Sequence, residues 1–266
     1  MEKRSTPPPP KRKPLRPSPA IEVLPLHGLP EIRRGDDLAR RIVEVADRAG
    51  IAFQPGDVVV IAQKIVSKAE GRLVGLSTIK PSPKARHLSA KLNRDPRLIE
   101  VILQEARRIV RSDPVLIVET HHGFVCANAG VDQSNVPGHD VVSLLPHDPD
   151  RTARRLAAAL RRRTGKRIAV IISDTFGRPW RLGLTNVAIG AAGVPALLDL
   201  RGSRDRNGKP LHATILAVAD ELTAAAGLAM GKAAGIPAVI IRGYRYRRAL
   251  DPAARIIRPA SEDLFR

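Results

Sequence analysis

The chain has 266 residues, a formal net charge of +19, 43% hydrophobic residues and only 3% aromatic ones. That length buries a substantial core in one large or two small domains, and Val, Ile, Leu and Ala must build it. Scarce aromatics argue against base-stacking nucleic-acid platforms, while the charge favours anionic partners.

Residues 1 to 20 are rich in proline and basic residues, with four consecutive prolines at 7–10. This composition cannot form a core and reads as a disordered tail. Residues 21–266 then form one folded unit, open to division into two subdomains. A first strand is expected within Ile21 to Ile32, broken at Gly28-Leu29-Pro30. A helix follows from about Asp36 to Ala49, because Leu38, Ile42, Val45 and Ala46 share one face. Asp57 to Ala62 is a β-branched run expected as a buried strand, ending at Gln63-Lys64. Lys64 and Lys68 are expected to flank a turn. Arg97 to Arg111 reads as a helix and Val115 to Val118 as a strand. A polar, turn-forming stretch runs from Cys126 to Gly138. A helix is expected from Asp148 to about Arg163, closed by Gly165. The apolar strand Arg167 to Ile172 should end at Ser173-Asp174-Thr175, where the chain leaves the core. Thr214 to Ala219 reads as a strand, Asp220 to Met230 as a helix and Pro237 to Ile241 as a final strand. Without a regular βαβ rhythm, the fold class is α+β, with mixed or antiparallel sheets and packed helices.

The single cysteine, Cys126, excludes an intrachain disulfide and points to a reducing cytoplasm. No local feature lowers its pKa as a nucleophile would require. No apolar run is long enough for a spanning helix. Gly227 to Ala233 is one residue short of a phosphate-binding P-loop and lacks the hydroxyl residue after Lys232. No glycine-rich Rossmann fingerprint follows a strand, and the seven histidines lack zinc-protease spacing.

Three acidic segments could bind hard cations, which prefer oxygen ligands shared with nucleotide phosphates: Asp132-Gln133-Ser134-Asn135, Asp174-Thr175 and Asp220-Glu221. Taken singly, each is more often a cap or a turn. Lys64, Lys68, Arg178 and Arg181 supply positive charge suited to phosphoryl groups; singly, such residues are usually solvated.

Five segments in order carry a resemblance. They are Gly28 to Ile32, Gln63 to Arg72, Asn128 to Val136, Ser173 to Arg181, and Val218 to Leu222. Together they resemble the coenzyme F420-0:L-glutamate ligases over residues 21 to about 244. The resemblance implies a homodimeric enzyme of a fold unlike P-loop or Rossmann proteins. It implies GTP-dependent addition of L-glutamate, through a γ-linked amide, to F420-0 and further to F420-1 by way of an acyl phosphate. Mg²⁺ or Mn²⁺, with K⁺ as an accompanying ion, would assist. It assigns Asp132, Asp174 and Thr175 to metal, and catalytic roles to Lys68 and Asp174. It assigns Leu29, Pro30, Glu31, Ile32, Gln63, Lys64, Lys68, Asn135, Met230, Gly231 and Lys232 to the nucleotide. Some members carry an acidic residue where Lys232 stands. The competing readings are a basic nucleic-acid-binding protein and an amide ligase for another phosphorylated cofactor.

Overall fold

The computed structural model describes residues 20–249 and 251–263. The tail expected over residues 1 to 20 lies outside the described residues, apart from Ala20. In chain order the elements are β1 (Glu22–Pro25), α1 (Leu38–Arg48), β2 (Val58–Ala62), α2 (Gln63–Glu70), β3 (Leu73–Gly75), α3 (Pro83–Leu92), α4 (Pro96–Glu105), β4 (Ala106–Ser112), β5 (Leu116–Thr120), β6 (Val125–Ala127) and β7 (Val141–Ser143). They continue as α5 (Pro149–Thr164), β8 (Ala169–Arg178), β9 (Arg181–Ala192), β10 (Leu198–Asp199), β11 (Ile215–Leu216), α6 (Val218–Met230) and β12 (Ala238–Arg242).

Five strands form the central sheet in the order β1-β12-β2-β8-β9. β2 and β8 run parallel, and the other neighbours are antiparallel. The class is therefore α+β with a mixed sheet. Both faces are covered, so the central strands are apolar throughout rather than alternating. Val59, Ile61, Val170 and Ile172 pack with α1 and α5. Val58, Val60, Ala169 and Ile171 pack with α6 on the other face. Side chains on the helices supply the matching stripes: Leu38, Ile42 and Val45 on α1, Leu156 and Leu160 on α5. Asp37 caps α1 by accepting from the Arg40 amide, and Asp148 caps α5 through Arg151. Gly165 takes the left-handed conformation that ends α5, at φ 70°.

The segment between β2 and β8 builds a third apolar cluster of its own. Leu76, Leu98, Ile102, Leu116, Val118 and Val142 are among its members. It is framed by α3, α4, the three-stranded sheet β4-β5-β6 and the pair β3-β7.

Four expectations are corrected. The helix expected through Arg111 stops at Glu105, and Ala106–Ser112 is a strand paired with β5. Its apolar helical face is complete by Ile102, and β-branched Ile109 fits opposite Val118. Lys64 and Lys68 do not flank a turn: Gln63–Glu70 is a helix that springs directly from β2. Asp174 is not at a strand end, because β8 continues to Arg178 in a long hairpin with β9. Only Ile215–Leu216 of the expected strand 214–219 is extended. From Val218 onward the spacing Val218, Ala219, Leu222, Ala226 buries a helix against the sheet.

Gly190 in β9 lies directly beneath the start of α5. A Cβ there would stand 2.5 Å from the Pro149 carbonyl carbon and oxygen. Both are backbone atoms that cannot swing aside. Gly190→Ala is therefore expected to destabilise by about 1–3 kcal/mol through overpacking, lowering the melting temperature by roughly 2–4 °C per kcal/mol. An unchanged calorimetric melting curve would count against this packing.

Candidate active site

The parallel pair β2–β8 ends at Ala62 opposite Ser173. There β2 turns into α2, while β8 runs on into its hairpin. The divergence opens a cleft of about 890 Å³. Every residue that the resemblance assigns to metal or nucleotide lines it, drawn from five parts of the fold. Leu29, Pro30, Glu31 and Ile32 come from the loop after β1. Gln63, Lys64 and Lys68 come from α2. Asp132 and Asn135 come from the loop before β7, and Asp174 and Thr175 from β8. Met230 ends α6, with Gly231 and Lys232 just beyond.

Lys64 and Lys68 lie one helical turn apart, so both face the cleft. The Lys64 ammonium donates to Asp132 Oδ2 at 2.6 Å, to the Ser134 carbonyl at 2.5 Å and to Ser134 Oγ at 2.9 Å. Lys68 is almost fully buried and donates to Glu31 Oε1 at 2.5 Å. The single O–H of buried Ser67 is shared between two acceptors, Gln63 Oε1 at 2.8 Å and the Leu144 carbonyl at 2.6 Å. α2 is thereby fastened to the chain just after β7.

Asp132 sits in a tight turn whose Ser134 amide donates to Oδ1 at 2.8 Å and whose Ser134 hydroxyl donates to Oδ2 at 2.8 Å. Burial works to raise its pKa. The hydrogen bonds from Lys64 and Ser134 outweigh it and hold the carboxyl below its ordinary range. Asp174 is the opposite case. Burial pushes it up to about 6, with the nearby Asp132 charge adding to the rise. The Thr175 backbone amide, Lys64 and Lys232 act against the rise without cancelling it. Two carboxylates close enough to feel one another thus have their pKa values driven apart.

Thr175 Oγ1 donates to Asn186 Oδ1 at 3.1 Å, and the Asn186 amide reaches Met230 Sδ at 3.6 Å. Asn186, Ser134 and Ser173 line the cleft but are not among the residues that the resemblance assigns to metal or nucleotide. Ser134 carries a readable signal, since an Asp two residues before a Ser commonly closes an Asx turn. Asn186 carries none beyond being the polar residue of a small apolar run.

Other candidates fall elsewhere. Asp220 accepts from the Ala188 amide at 2.8 Å, and its pKa is raised by burial. It secures β9 and does not line the cleft. Arg178 and Arg181 are exposed at the tip of the β8–β9 hairpin. Cys126 is buried; burial, and then the Asp174 charge, push its thiol up to about 12, which leaves it inert as a nucleophile. His121 and His122 bond backbone carbonyls. Among the described residues no three His, Cys, Asp or Glu side chains converge as an all-protein metal cage. Mg²⁺ and Mn²⁺ need no such cage: one or two carboxylates usually suffice, with phosphates and water completing the shell. Asp132, Asp174 and Thr175 match that oxygen-donor class.

An α+β scaffold that gathers two carboxylates of opposed acidity and three lysines around one cleft defines a small-molecule enzyme. Comparison with known proteins identifies its kind. The family model described as F420-0:Gamma-glutamyl ligase matches residues 28–243. The chain is 50% identical over 252 residues to the coenzyme F420:L-glutamate ligase of Methanopyrus kandleri, covering 92% of this chain and 97% of that protein. It is 46% identical over 250 residues to the protein of the same name from Methanothermobacter thermautotrophicus, covering 92% and 99%. The protein of that name from Archaeoglobus fulgidus is 39% identical over 247 residues, covering 92% and 96%. The chain belongs to the F420-0:gamma-glutamyl ligase family. No helix among the described residues is long and apolar enough to cross a membrane.

Proposed function

We propose that this enzyme joins the amine of L-glutamate to the terminal carboxylate of coenzyme F420-0, and that of a further glutamate to F420-1 through a γ-linked amide, driven by GTP. The observation that carries this reading is the convergence of all the assigned residues on a single cleft in a chain of this family. In the first step the terminal carboxylate of F420-0 attacks the γ-phosphorus of GTP, GDP departs, and an acyl phosphate forms. The glutamate nitrogen then bonds the acyl carbon. The carbon–oxygen bond to phosphate breaks with its electron pair on the leaving phosphate, and the excess amine protons pass to solvent.

This chemistry asks mainly for positioning and charge neutralisation. Lys64 and Lys68 are held on one helix face and supply fixed positive charge to the phosphates. Asp132, Asp174 and Thr175 would hold Mg²⁺ or Mn²⁺, which supplies further charge to the transferring phosphoryl group. Lys64 is paired with Asp132 in the structure, so it would pass from that carboxylate to phosphate when substrates enter. Gln63 and Leu29 to Ile32 border the space left for the nucleoside. Lys232, from the loop after α6, adds charge beside Asp174. The reading includes a cytoplasmic homodimer. Exposed Trp180, Leu182 and Leu184 on the β8–β9 hairpin offer a second copy an apolar surface.

The decisive experiment is mass spectrometry of F420-0 incubated with the enzyme, GTP, Mn²⁺ and L-glutamate. The expected product carries added glutamyl units, with one GDP formed per unit. Folded enzyme that yields no glutamylated product would overturn the reading. Tighter binding to generic duplex DNA than to GTP–Mn²⁺ at physiological salt would favour a nucleic-acid role instead.

A further inference from the structure

Beside the main cleft lies a second, smaller void of about 140 Å³. Asp132 lines both, so one carboxylate forms part of the wall of each. A space of this size is well below the roughly 300–1,000 Å³ of pockets that take drug- or cofactor-sized ligands. It suits a molecule the size of a single amino acid.

The chemistry of its lining is specific. Leu98 and Ile102, one turn apart on α4, contribute apolar surface. Asn128, exposed Gln133 and exposed Arg94 complete its polar lining. Arg94 follows the left-handed Asn93 that ends α3 (φ 49°). Its backbone is tied at both polar atoms to Ser89: the Arg94 amide donates to the Ser89 carbonyl at 3.2 Å, and Ser89 Oγ donates to the Arg94 carbonyl at 2.5 Å. Among the described residues, no carboxylate lies within ion-pair distance of its guanidinium, whereas nearby Arg97 is paired with both Asp95 and Asp140. The backbone at Asn128 is unusual too. Asn128, Ala129 and Gly130 are consecutive left-handed residues at φ 54°, 55° and 69°. Left-handed backbone at non-glycine residues collects at ligand clamps.

We propose that this void is the amino-acid subsite and that it takes a short α-amino dicarboxylate, which under the ligase reading is L-glutamate. The inference rests on that reading. Arg94 grips one carboxylate in a forked, charge-assisted pair. The carboxamides of Asn128 and Gln133 donate to the other. The methylenes lie on Leu98 and Ile102. The amine lies at Asp132, the residue common to both linings, where the two spaces meet and the activated acyl group is within its reach. Placing glutamate behind Asp132 also keeps its negative charges away from the phosphates.

The test compares Arg94→Ala and Arg94→Lys with the wild type, in ligation assays that titrate L-glutamate, GTP and F420-0 separately. Loss of a charge-assisted pair is worth about 1.5–3 kcal/mol, roughly a 10- to 100-fold rise in KM for glutamate. KM for GTP and for F420-0 should stay within about twofold, and Arg94→Lys should recover part of the loss. An unchanged KM for glutamate in folded Arg94→Ala would overturn the assignment. So would a parallel rise in all three constants, which would show a merely structural role. Calorimetric titration of L-glutamate into each protein separates this failure from that of the ligase reading. If the wild type makes no product yet binds L-glutamate, and Arg94→Ala does not, the subsite stands without the ligase. If the wild type makes product but Arg94→Ala binds and uses glutamate normally, only the subsite falls.

Discussion

Asp174→Asn is expected to leave the protein folded while lowering glutamate ligation by two orders of magnitude or more, the scale on which loss of a charge partner at a reacting centre is felt. Asn keeps the shape and one oxygen, so a residue that only closed a turn would tolerate the change. In the structure Asp174 lies within β8, paired with Val187, and its carboxyl lines the cleft. Backbone geometry therefore does not depend on its charge. Its pKa also gives the prediction a second arm. The folded-state value of about 6 lies above the ordinary 3.8. Between those values the unfolded chain sheds the proton first, so this group's contribution to stability declines as pH rises from about 4 to about 6. Above that window the metal-free protein bears the full cost of a buried charge, and Asp174→Asn removes it. With a chelator present at pH 7, the variant should melt at or above the wild-type temperature; at pH 4 the difference should vanish. The measurements are a glutamate-ligation assay across a Mn²⁺ titration and melting curves at the two pH values. A folded variant with near-normal turnover at low Mn²⁺ would sink the metal assignment.

The second large effect concerns stability alone. Asp57 precedes β2 at the end opposite the cleft and is only 1% exposed. Its carboxylate accepts from Arg242 Nε at 3.0 Å, Arg242 Nη2 at 2.9 Å and the Gln54 amide at 2.8 Å. The same pairing raises the pKa of the Arg242 guanidinium. Asp57→Ala would take the carboxylate from Arg242, leaving it the Ala52 carbonyl, and would leave the Gln54 amide without this acceptor. Breaking a buried pair from one side costs about 3–5 kcal/mol, which for a domain of this size is roughly 10 °C in melting temperature. Added salt should not reproduce the loss, because buried pairs are weakly screened. The folded fraction should keep its kcat and KM values, since the cleft lies at the other end of β2. A melting temperature within a degree or two of wild type would refute the role given to this pair.

The parts of the fold legible in the sequence are those where one residue pattern has one solution. Val58 to Ile61 and Ala238 to Ile241 could only be buried strands, and Leu38 to Val45 only a helix with an acidic cap. The hairpin was hidden because Asn186 to Gly193 consists mostly of alanine, glycine and other small residues, which suit several conformations. Residues 106–112 were misread because Arg is a good helix former; pairing with β5 decided the matter instead. The site fared better than the elements beneath it. Asp132, Asp174, Lys64 and Lys68 stood out as short polar segments beside apolar runs. What escaped was tertiary in origin. Arg94 is an ordinary basic residue until the turn at Asn128 to Gly130 is folded opposite it.

The pairing of β8 with β9 has a consequence for which face each residue of β9 presents. Ile172 pairs with Gly190 but Ser173 pairs with Ala188, leaving Ile189 as an extra residue in the ladder. Strand faces alternate with strict parity, so one added residue inverts the parity of everything on its far side. Because of Ile189, Asn186 is on the α6 face, opposite Thr175 and within reach of Met230. Were Ile189 paired regularly with Ser173 instead of bulged, every partner beyond it would slip by one: Asn186 would turn toward the α5 side opposite Phe176, and Val187 would take its place opposite Thr175. Asp220, which holds the Ala188 amide next to the inserted residue, acts as the latch that keeps this inverted parity in place.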